Sequence, residues 1–417
     1  MMADRHVAHL LVGGGLAGAN CARWLRESGA EGEILLVGRE SDAPYNRPPL
    51  TKGYLAGRES RDDVYFRPDP WWDEQRIDLR KRTSVMKLDA AAKEATLSTK
   101  EVVSFDTALL ATGANVKRLQ VDGCELDGIH YLRAFGNADA IRAEAIGGKR
   151  VVLIGGSYVA CEVAASLTSL GAHCTIVMQE GTTLERGFGA VAGGWLQAVL
   201  ESHGVRVIGN DALGRFEGDF GRVTTVVTEN GESVPADVVV IGAGVNPDTM
   251  LARAARLTLD DERGGVLCDS RLETSVPGIY AAGDIASYDS VVHGRRLRVE
   301  HWDVAFNMGK TVALNMLGAD RPHEVVPYFF SDFSDWASLE YVGPATSWDR
   351  EVVRGSLDDG AFSVWYLDGG RVAGALSIGR SDDLEHARRM IASRAPLDDA
   401  DVGGLADVSA ELGSVGA

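Results

Sequence analysis

Over the first two thirds of the chain the apolar residues gather in short, nearly unbroken runs. Leu10-Leu11-Val12 leads into Gly13-Gly14-Gly15-Leu16-Ala17-Gly18. A mixed stretch then runs to Ser28-Gly29, and Ile34-Leu35-Leu36-Val37 follows, closed by Glu40. The same order returns at Val151-Val152-Leu153-Ile154, with Gly155-Gly156-Ser157-Tyr158-Val159-Ala160, a stretch to Leu170-Gly171, then Thr175-Ile176-Val177-Met178 and Glu180. Each copy predicts strand, glycine turn, helix, strand. Short strands without alternation suit a parallel sheet covered on both faces. Phe105–Gly113, Asp237–Gly244 and Thr274–Asp284 predict further buried strands ending in small-residue turns. From about Pro327 the pattern changes. Phe362–Leu367 and Arg371–Leu376 mix aromatic and β-branched residues around Asp368-Gly369-Gly370, which predicts antiparallel hairpins. A helix is expected over Asp382–Ser393, and the Asp-, Ala- and Gly-rich tail after Pro396 is expected to be poorly ordered.

The glycine turns carry the first chemistry. In Gly13-x-Gly15-x-x-Gly18 the first glycine permits a tight turn, the second lets the backbone approach a pyrophosphate, and the third lets helix and strand pack closely. The helix N-terminus then offers free N–H groups and partial positive charge to phosphate oxygens. Glu40 is placed to bind adenosine ribose hydroxyls. Arg39 beside it is either a further contact or a solvated surface arginine. The second turn is less regular, with Ser157 at the middle position and Ala160 at the last. Glu180 favours a free 2′-hydroxyl, and no basic residue follows until Arg186, so NADH is expected over NADPH.

Composition removes several classes. Lys+Arg 42 against Asp+Glu 60 gives −18 over 417 residues, which repels phosphate backbones and disfavours nucleic-acid binding. The most apolar stretch, Val151–Leu170, is broken by Gly155-Gly156-Ser157 and carries Glu162, so no membrane span is expected. The N-terminus shows no signal-peptide pattern, and five scattered cysteines with no C-x-x-C suggest reduced thiols in the cytoplasm.

Longer segments make the resemblance specific. VGGGLAG (Val12–Gly18), PYNRPPLTKGYLAG (Pro44–Gly57), LLATGA (Leu109–Ala114) and VVLIGGSYVACEVA (Val151–Ala164) are followed by GVNPD (Gly244–Asp248), GIYAAGDIA (Gly278–Ala286), RVEHWDVAFNMGK (Arg298–Lys310) and PYFFSD (Pro327–Asp332). In this order they resemble the FAD-dependent, NADH-using ferredoxin reductases of oxygenase electron-transfer chains, of the putidaredoxin reductase type. That group is related to the apoptosis-inducing-factor-like flavoproteins. The resemblance implies an α/β fold with two Rossmann-like dinucleotide-binding domains, glutathione-reductase-like, plus a C-terminal α+β domain with an antiparallel sheet. The expected boundaries are 1–114 with 246–325 for FAD, 115–245 for NADH and 326–417 for the C-terminal domain.

By the same resemblance, the FAD contacts are Gly13, Gly15, Leu16, Ala17, Gly18, Arg39, Glu40, Arg47, Lys52, Val85, Ala111, Thr112, Gly113, Arg133, Gly283, Asp284, Glu300, His301 and Trp302. Gly155, Ser157, Tyr158, Val159, Glu180, Arg186, Gly242 and Gly244 fall to NADH. Asp284 is expected to receive a ribityl hydroxyl, and Lys52 to pair with Glu162 by the flavin, these two being the candidate catalytic residues and Glu162 a further cofactor contact. The plain alternatives are solvated charges for Lys52 and Glu162, an exposed Arg133 and a core Trp302. Hydride would pass from NADH to FAD, and single electrons onward to a small acidic 2Fe–2S ferredoxin. Docking candidates are Arg67, the Arg76–Arg82 run and the His293–Arg298 run with Arg295 and Arg296, together with the C-terminal domain. Phe330 stands where the family often has tryptophan, and an extra residue falls in Phe333–Glu340, which leaves the carrier open. The alternatives are NADH-dependent reduction of a small acceptor (a quinone, a radical or dioxygen) and an apoptosis-factor-like NADH sensor. The first helix holds only Cys21, and Asn46-Arg47 stand where related thiol enzymes keep a cysteine, so thiol chemistry is not expected.

Overall fold

Arg5–Val12 lies inside a seven-stranded sheet whose order runs Ile77–Arg80, Ile34–Val37, Arg5–Val12, Val102–Leu110, Glu94–Leu97, Val85–Asp89. Ile279–Ala281 also pairs with Val102–Leu110. The register sets Leu10 beside Leu35 on one side and Ala108 on the other, both parallel. Leu10, Leu11, Ile34, Leu35, Leu36, Leu109 and Leu110 are fully or almost fully buried, at ~2 kcal/mol for each such side chain. Burial on both faces is why these strands read as unbroken apolar runs. Glu94–Leu97 and Val85–Asp89 add antiparallel, and Glu94–Leu97 alternates instead.

The computed structural model describes residues 3–416, and within it the chain divides into two units. The first holds the chain up to Asn46, Asp62–Asn115 and Asn246–Tyr328. The second holds Arg47–Arg61, Val116–Val245 and the chain from Phe329 on. In the first, helix Leu16–Glu27 runs against helix Trp302–Met316. A Cβ on Gly309 would stand 2.5 Å from the Ala17 carbonyl oxygen, so glycine there sets the approach.

The second unit contains a five-stranded parallel sheet in the order Arg206–Ile208, His173–Val177, Arg150–Ile154, Val238–Ile241, Ile129–Tyr131. A small antiparallel sheet of Leu213–Asp219, Arg222–Thr228 and Ser233–Pro235 is inserted in the chain between Arg206–Ile208 and Val238–Ile241. The expected hairpin is Ala361–Asp368 with Arg371–Ile378. It belongs to a five-stranded sheet with Tyr328–Phe333, Ala337–Val342 and Arg350–Ser356, and helix Ser381–Ser393 follows.

Two expectations need correction. Arg47–Arg61, expected with the FAD-binding residues, folds with the second unit. Tyr54 Oη and Arg61 Nη2 both donate to the Asp139 carboxylate, at 2.6 Å each, and Arg142 donates to the Tyr54 carbonyl at 3.1 Å. The tail after Pro396 is ordered. Asp398 caps helix Asp399–Ala406 through the Asp401 N–H at 2.8 Å, and Val402, Leu405 and Leu412 are buried. Two arginines hold the tail by its main chain. Arg354, itself buried, donates to the carbonyls of Gly404, Asp407, Val408 and Ala410. Arg389 donates to those of Leu412, Val415 and Gly416.

Candidate functional site

The first glycine turn is shaped by what cannot fit. Gly13 has φ +125°, and a Cβ there would fall well inside contact with the Ala111 carbonyl. On Gly18 it would strike the Gly13 carbonyl. Gly15 differs: it is the N-cap of Leu16–Glu27, and a Cβ there would meet nothing within 4 Å. The turn therefore leaves an open space before the helix's free N–H groups, which suits a phosphate.

Around it the first unit gathers several of the expected residues. Gly283, φ +77°, opens the short turn Gly283–Ile285 between Ala17 and Ala305, whose Cβ atoms would be 3.5 and 3.6 Å from an added Cβ. Asp284 follows, half-buried, and interacts electrostatically with His301. Burial pushes the His301 imidazole down to about 4, while the Asp284 carboxylate pulls the other way. His301 begins helix Trp302–Met316. The Trp302 indole donates to Asn46 Oδ1 at 3.0 Å and stacks on Phe306. Thr112 donates to the Asp248 carbonyl at 2.8 Å, and the Asp248 N–H to Gly113 at 2.8 Å. Glu40 accepts from Tyr45 Oη at 2.6 Å, and Glu300 pairs with Arg298. Arg39 bridges Asp248 (3.1 Å) and Asn115 (2.6 Å) from an exposed position, closer to the surface-arginine alternative. Val85 opens the edge strand, three places from Arg5–Val12 in the sheet.

The second turn, in the other unit, follows the same path with different fillings. Gly155 has φ +106°, and a Cβ on it would stand 2.9 Å from the Gly242 carbonyl. Ser157 is the N-cap of helix Tyr158–Ser169, and its hydroxyl accepts from the Ala160 N–H at 3.3 Å. A Cβ on Gly242 would press on Ser157 Oγ at 2.8 Å, and Gly244 accepts from the Lys117 N–H at 2.9 Å. Tyr158 packs on Phe329, and Val159 lies half-buried beside it on the same turn. Glu180 pairs with Arg186, and its second oxygen faces Gly156.

The same unit brings Lys52 and Glu162 together. Lys52 Nζ donates to Glu162 Oε1 at 2.7 Å, with the side chains 13% and 4% exposed. Sequence reasoning did not single out two further donors: Thr51 Oγ1 to Glu162 Oε2 at 2.5 Å, and Ser331 Oγ to Oε1. Three donors, one of them a cation, satisfy a carboxylate that burial would otherwise penalise. Phe330 lies under the Lys52 ammonium at 5.4 Å, which gives the residue in the usual tryptophan position a cation–π role. Arg47, half-buried, donates to the Arg133 carbonyl. Arg47, Lys52 and Arg133 thus fall outside the unit that holds Gly13 and Asp284.

Of the docking candidates, Arg296 is engaged by the fold: it donates to the Cys268 and Ser287 carbonyls and pairs with Asp289 at 2.6 Å. Arg295 is exposed. In the other basic run Arg80 pairs with Asp78 and Glu101, and Lys81 with Asp69.

The pyridine nucleotide-disulphide oxidoreductase family profile matches residues 7–309, and the reductase C-terminal profile matches 328–415. The chain belongs to the pyridine nucleotide-disulphide oxidoreductase family. It is similar to rhodocoxin reductase of Rhodococcus erythropolis, with 32% identity over 388 residues, 93% of this chain and 90% of that protein. The ferredoxin--NAD(+) reductase component of the anthranilate 1,2-dioxygenase system of Burkholderia cepacia is 33% identical over 402 residues, covering 95% of this chain and 96% of that one. The crystal structure of the covalent putidaredoxin reductase–putidaredoxin complex superposes with a TM-score of 0.91 at 32% identity, over 99% of this chain and 98% of that chain. The family's name includes disulphide, yet all five cysteines here are free. Burial pushes the Cys21, Cys161 and Cys268 thiols far up, which disfavours the reactive thiolate. Among the described residues no helix is long and apolar enough to cross a membrane, and no cluster of ligating side chains forms.

Proposed function

We propose that this member of the family is an NADH-dependent, FAD-containing reductase of a small 2Fe–2S ferredoxin that serves an oxygenase. The observation that carries the reading is the open space at Gly15 before a free helix N-terminus, in a glycine turn whose backbone path recurs at Gly155. The named relatives, reductases of rhodocoxin, of an anthranilate dioxygenase system and of putidaredoxin, support the carrier class.

In this reading the Gly13–Gly18 turn, Ala111–Gly113, Gly283-Asp284 and the start of helix Trp302–Met316 hold FAD, and Glu40 takes its adenosine ribose. The Gly155–Ala160 turn, Gly242, Gly244 and Glu180 hold NADH. Bound FAD supplies the conversion between a two-electron hydride and single electrons. The protein orients the reactants and keeps water away, and no side chain is required as acid or base in the hydride step. Lys52, held by Glu162 and lying over Phe330, offers a fixed positive charge. The chain at −18 meets an acidic carrier through a local basic patch around Arg295 and Arg296. The cytoplasm, where thiols stay reduced, is the matching compartment.

The test is spectroscopic. Purified protein is expected to carry or take up FAD, to bleach on addition of NADH, and to pass electrons to a ferredoxin faster than to dioxygen. A preparation that neither takes up FAD nor oxidises NADH overturns the reading. Fast turnover with a small quinone and none with a ferredoxin moves it to a small-acceptor reductase. Arg295→Glu is expected to slow ferredoxin reduction about tenfold at low salt and to leave ferricyanide reduction unchanged.

A further inference from the structure

Leu184 and Gly189 enclose a single helical turn, entered at φ +57° and left at φ +73°. Inside it the N–H groups of Gly187 and Phe188 both donate to the Leu184 carbonyl at 3.0 Å, so the turn moves as one piece. Both of its ends are tied. The Leu184 N–H donates to the Gly156 carbonyl at 2.8 Å, within the second glycine turn. The Phe188 carbonyl accepts from Tyr366 Oη at 2.8 Å, and Tyr366 is wholly buried in the C-terminal sheet.

The sheet backs that far end with a second residue. Glu351 stands opposite Tyr366 in the register of Arg350–Ser356 with Ala361–Asp368. Its Oε1 accepts from Trp348 Nε1 at 2.8 Å and fills the place that a Cβ on Gly189 would need. Trp348 packs on Tyr366 at 4.7 Å between ring centres, and Phe188 on Tyr341 at 5.1 Å. All of these residues belong to the second unit.

A trans peptide is planar, so its C=O and N–H point in opposite directions. Holding the Gly156 carbonyl toward Leu184 therefore aims the Ser157 N–H away from Leu184. Ser157 is the N-cap of Tyr158–Ser169, and the N–H groups at a helix entry are those a phosphate meets. We propose that Tyr366 is a positioning residue for the dinucleotide: through the turn at 184–188 it fixes the Gly156–Ser157 peptide in the orientation that receives phosphate. The inference rests on the reading that the glycine turn at 155–160 binds NADH. Without the Tyr366 hydroxyl the Phe188 carbonyl loses its donor, the turn is free to rock, and the peptide leaves its set orientation part of the time. The cost falls on nucleotide binding, not on hydride transfer or flavin retention.

The test measures the dissociation constant of NAD+ in the FAD-loaded protein, together with kcat and KM for NADH-driven ferricyanide reduction. Tyr366→Phe is expected to weaken NAD+ and raise KM for NADH about fivefold each, with kcat and flavin content held. Gly189→Ala pushes on the same end of the turn from the other side and is expected to weaken NAD+ at least as much. Ser363→Ala, on the same strand as Tyr366, removes a different buried hydroxyl, the one that donates to Asp383 at 2.7 Å. It is expected to lower the melting temperature and to leave NAD+ affinity alone. Unchanged NAD+ affinity in Tyr366→Phe or in Gly189→Ala, or equal weakening in Ser363→Ala, overturns the inference. If the unaltered protein binds neither NAD+ nor 5′-AMP, the dinucleotide reading itself falls and takes the inference with it.

Discussion

At the first glycine turn helix Leu16–Glu27 starts from Gly15, where an added Cβ would touch nothing within 4 Å. At the second, helix Tyr158–Ser169 starts from Ser157, whose hydroxyl already accepts the Ala160 N–H at 3.3 Å. The backbone path is shared, with Gly13 and Gly155 both at positive φ. The first helix has no side-chain cap at its N-terminus, so a bound anion would complete it. The second is partly completed by its own side chain and depends less on a ligand. That difference suits a resident group in one unit and a passing one in the other.

The largest test breaks the shared part of the turns. Gly18→Val or Gly13→Ala forces a Cβ into a backbone carbonyl, and a loss of several kcal/mol is expected, enough that thermal melting shows no folded first unit. Gly15→Ala should spare the fold and release FAD, read as lost flavin absorbance with an unchanged circular dichroism spectrum. Next comes the buried pair of the second unit. Glu162→Leu leaves the Lys52 ammonium without its carboxylate and is expected to cost about 3 kcal/mol or more in urea unfolding, against about 1 kcal/mol for Ser331→Ala.

Acid should separate the units. Burial holds His301 and His323, both in the first unit, down to about 4, so they are neutral when folded. As pH falls below about 6.5 the unfolded chain binds protons that the folded one refuses, and stability drops by roughly 2 kcal/mol for each histidine by pH 5. His323→Asn should flatten that slope, and an unchanged slope would contradict it. The smallest effect is at the second cap: Ser157→Ala is expected to cost about 1 kcal/mol and Ser157→Gly a few tenths, with no flavin lost.

Both glycine turns and their flanking strands were legible because the signals are local: unbroken apolar tetrads, then small residues at fixed offsets. The Lys52–Glu162 bond, 110 positions apart, was reached only through resemblance, and the structure makes it at 2.7 Å. Ser331, 169 positions from Glu162, had no local signal. Thr51 sits beside Lys52 in a quoted motif, but nothing in the motif says where a hydroxyl points. Arg296 read as a surface charge because its carbonyl partners, Cys268 and Ser287, carry no sequence mark of that role. The tail after Pro396 misled by composition. Asp398 and Asp401 at capping spacing were the available clue, while Arg354 lies 50 positions before Gly404, the first carbonyl it binds.

Within the tail, Arg354 and Arg389 grip only peptide oxygens, and every residue type supplies those. Exposed positions of the closing stretch can therefore exchange side chains over evolutionary time, or under an engineer's hand, without losing these moorings. What it cannot accept is a change in the course of the backbone, such as a proline set inside Asp399–Ala406.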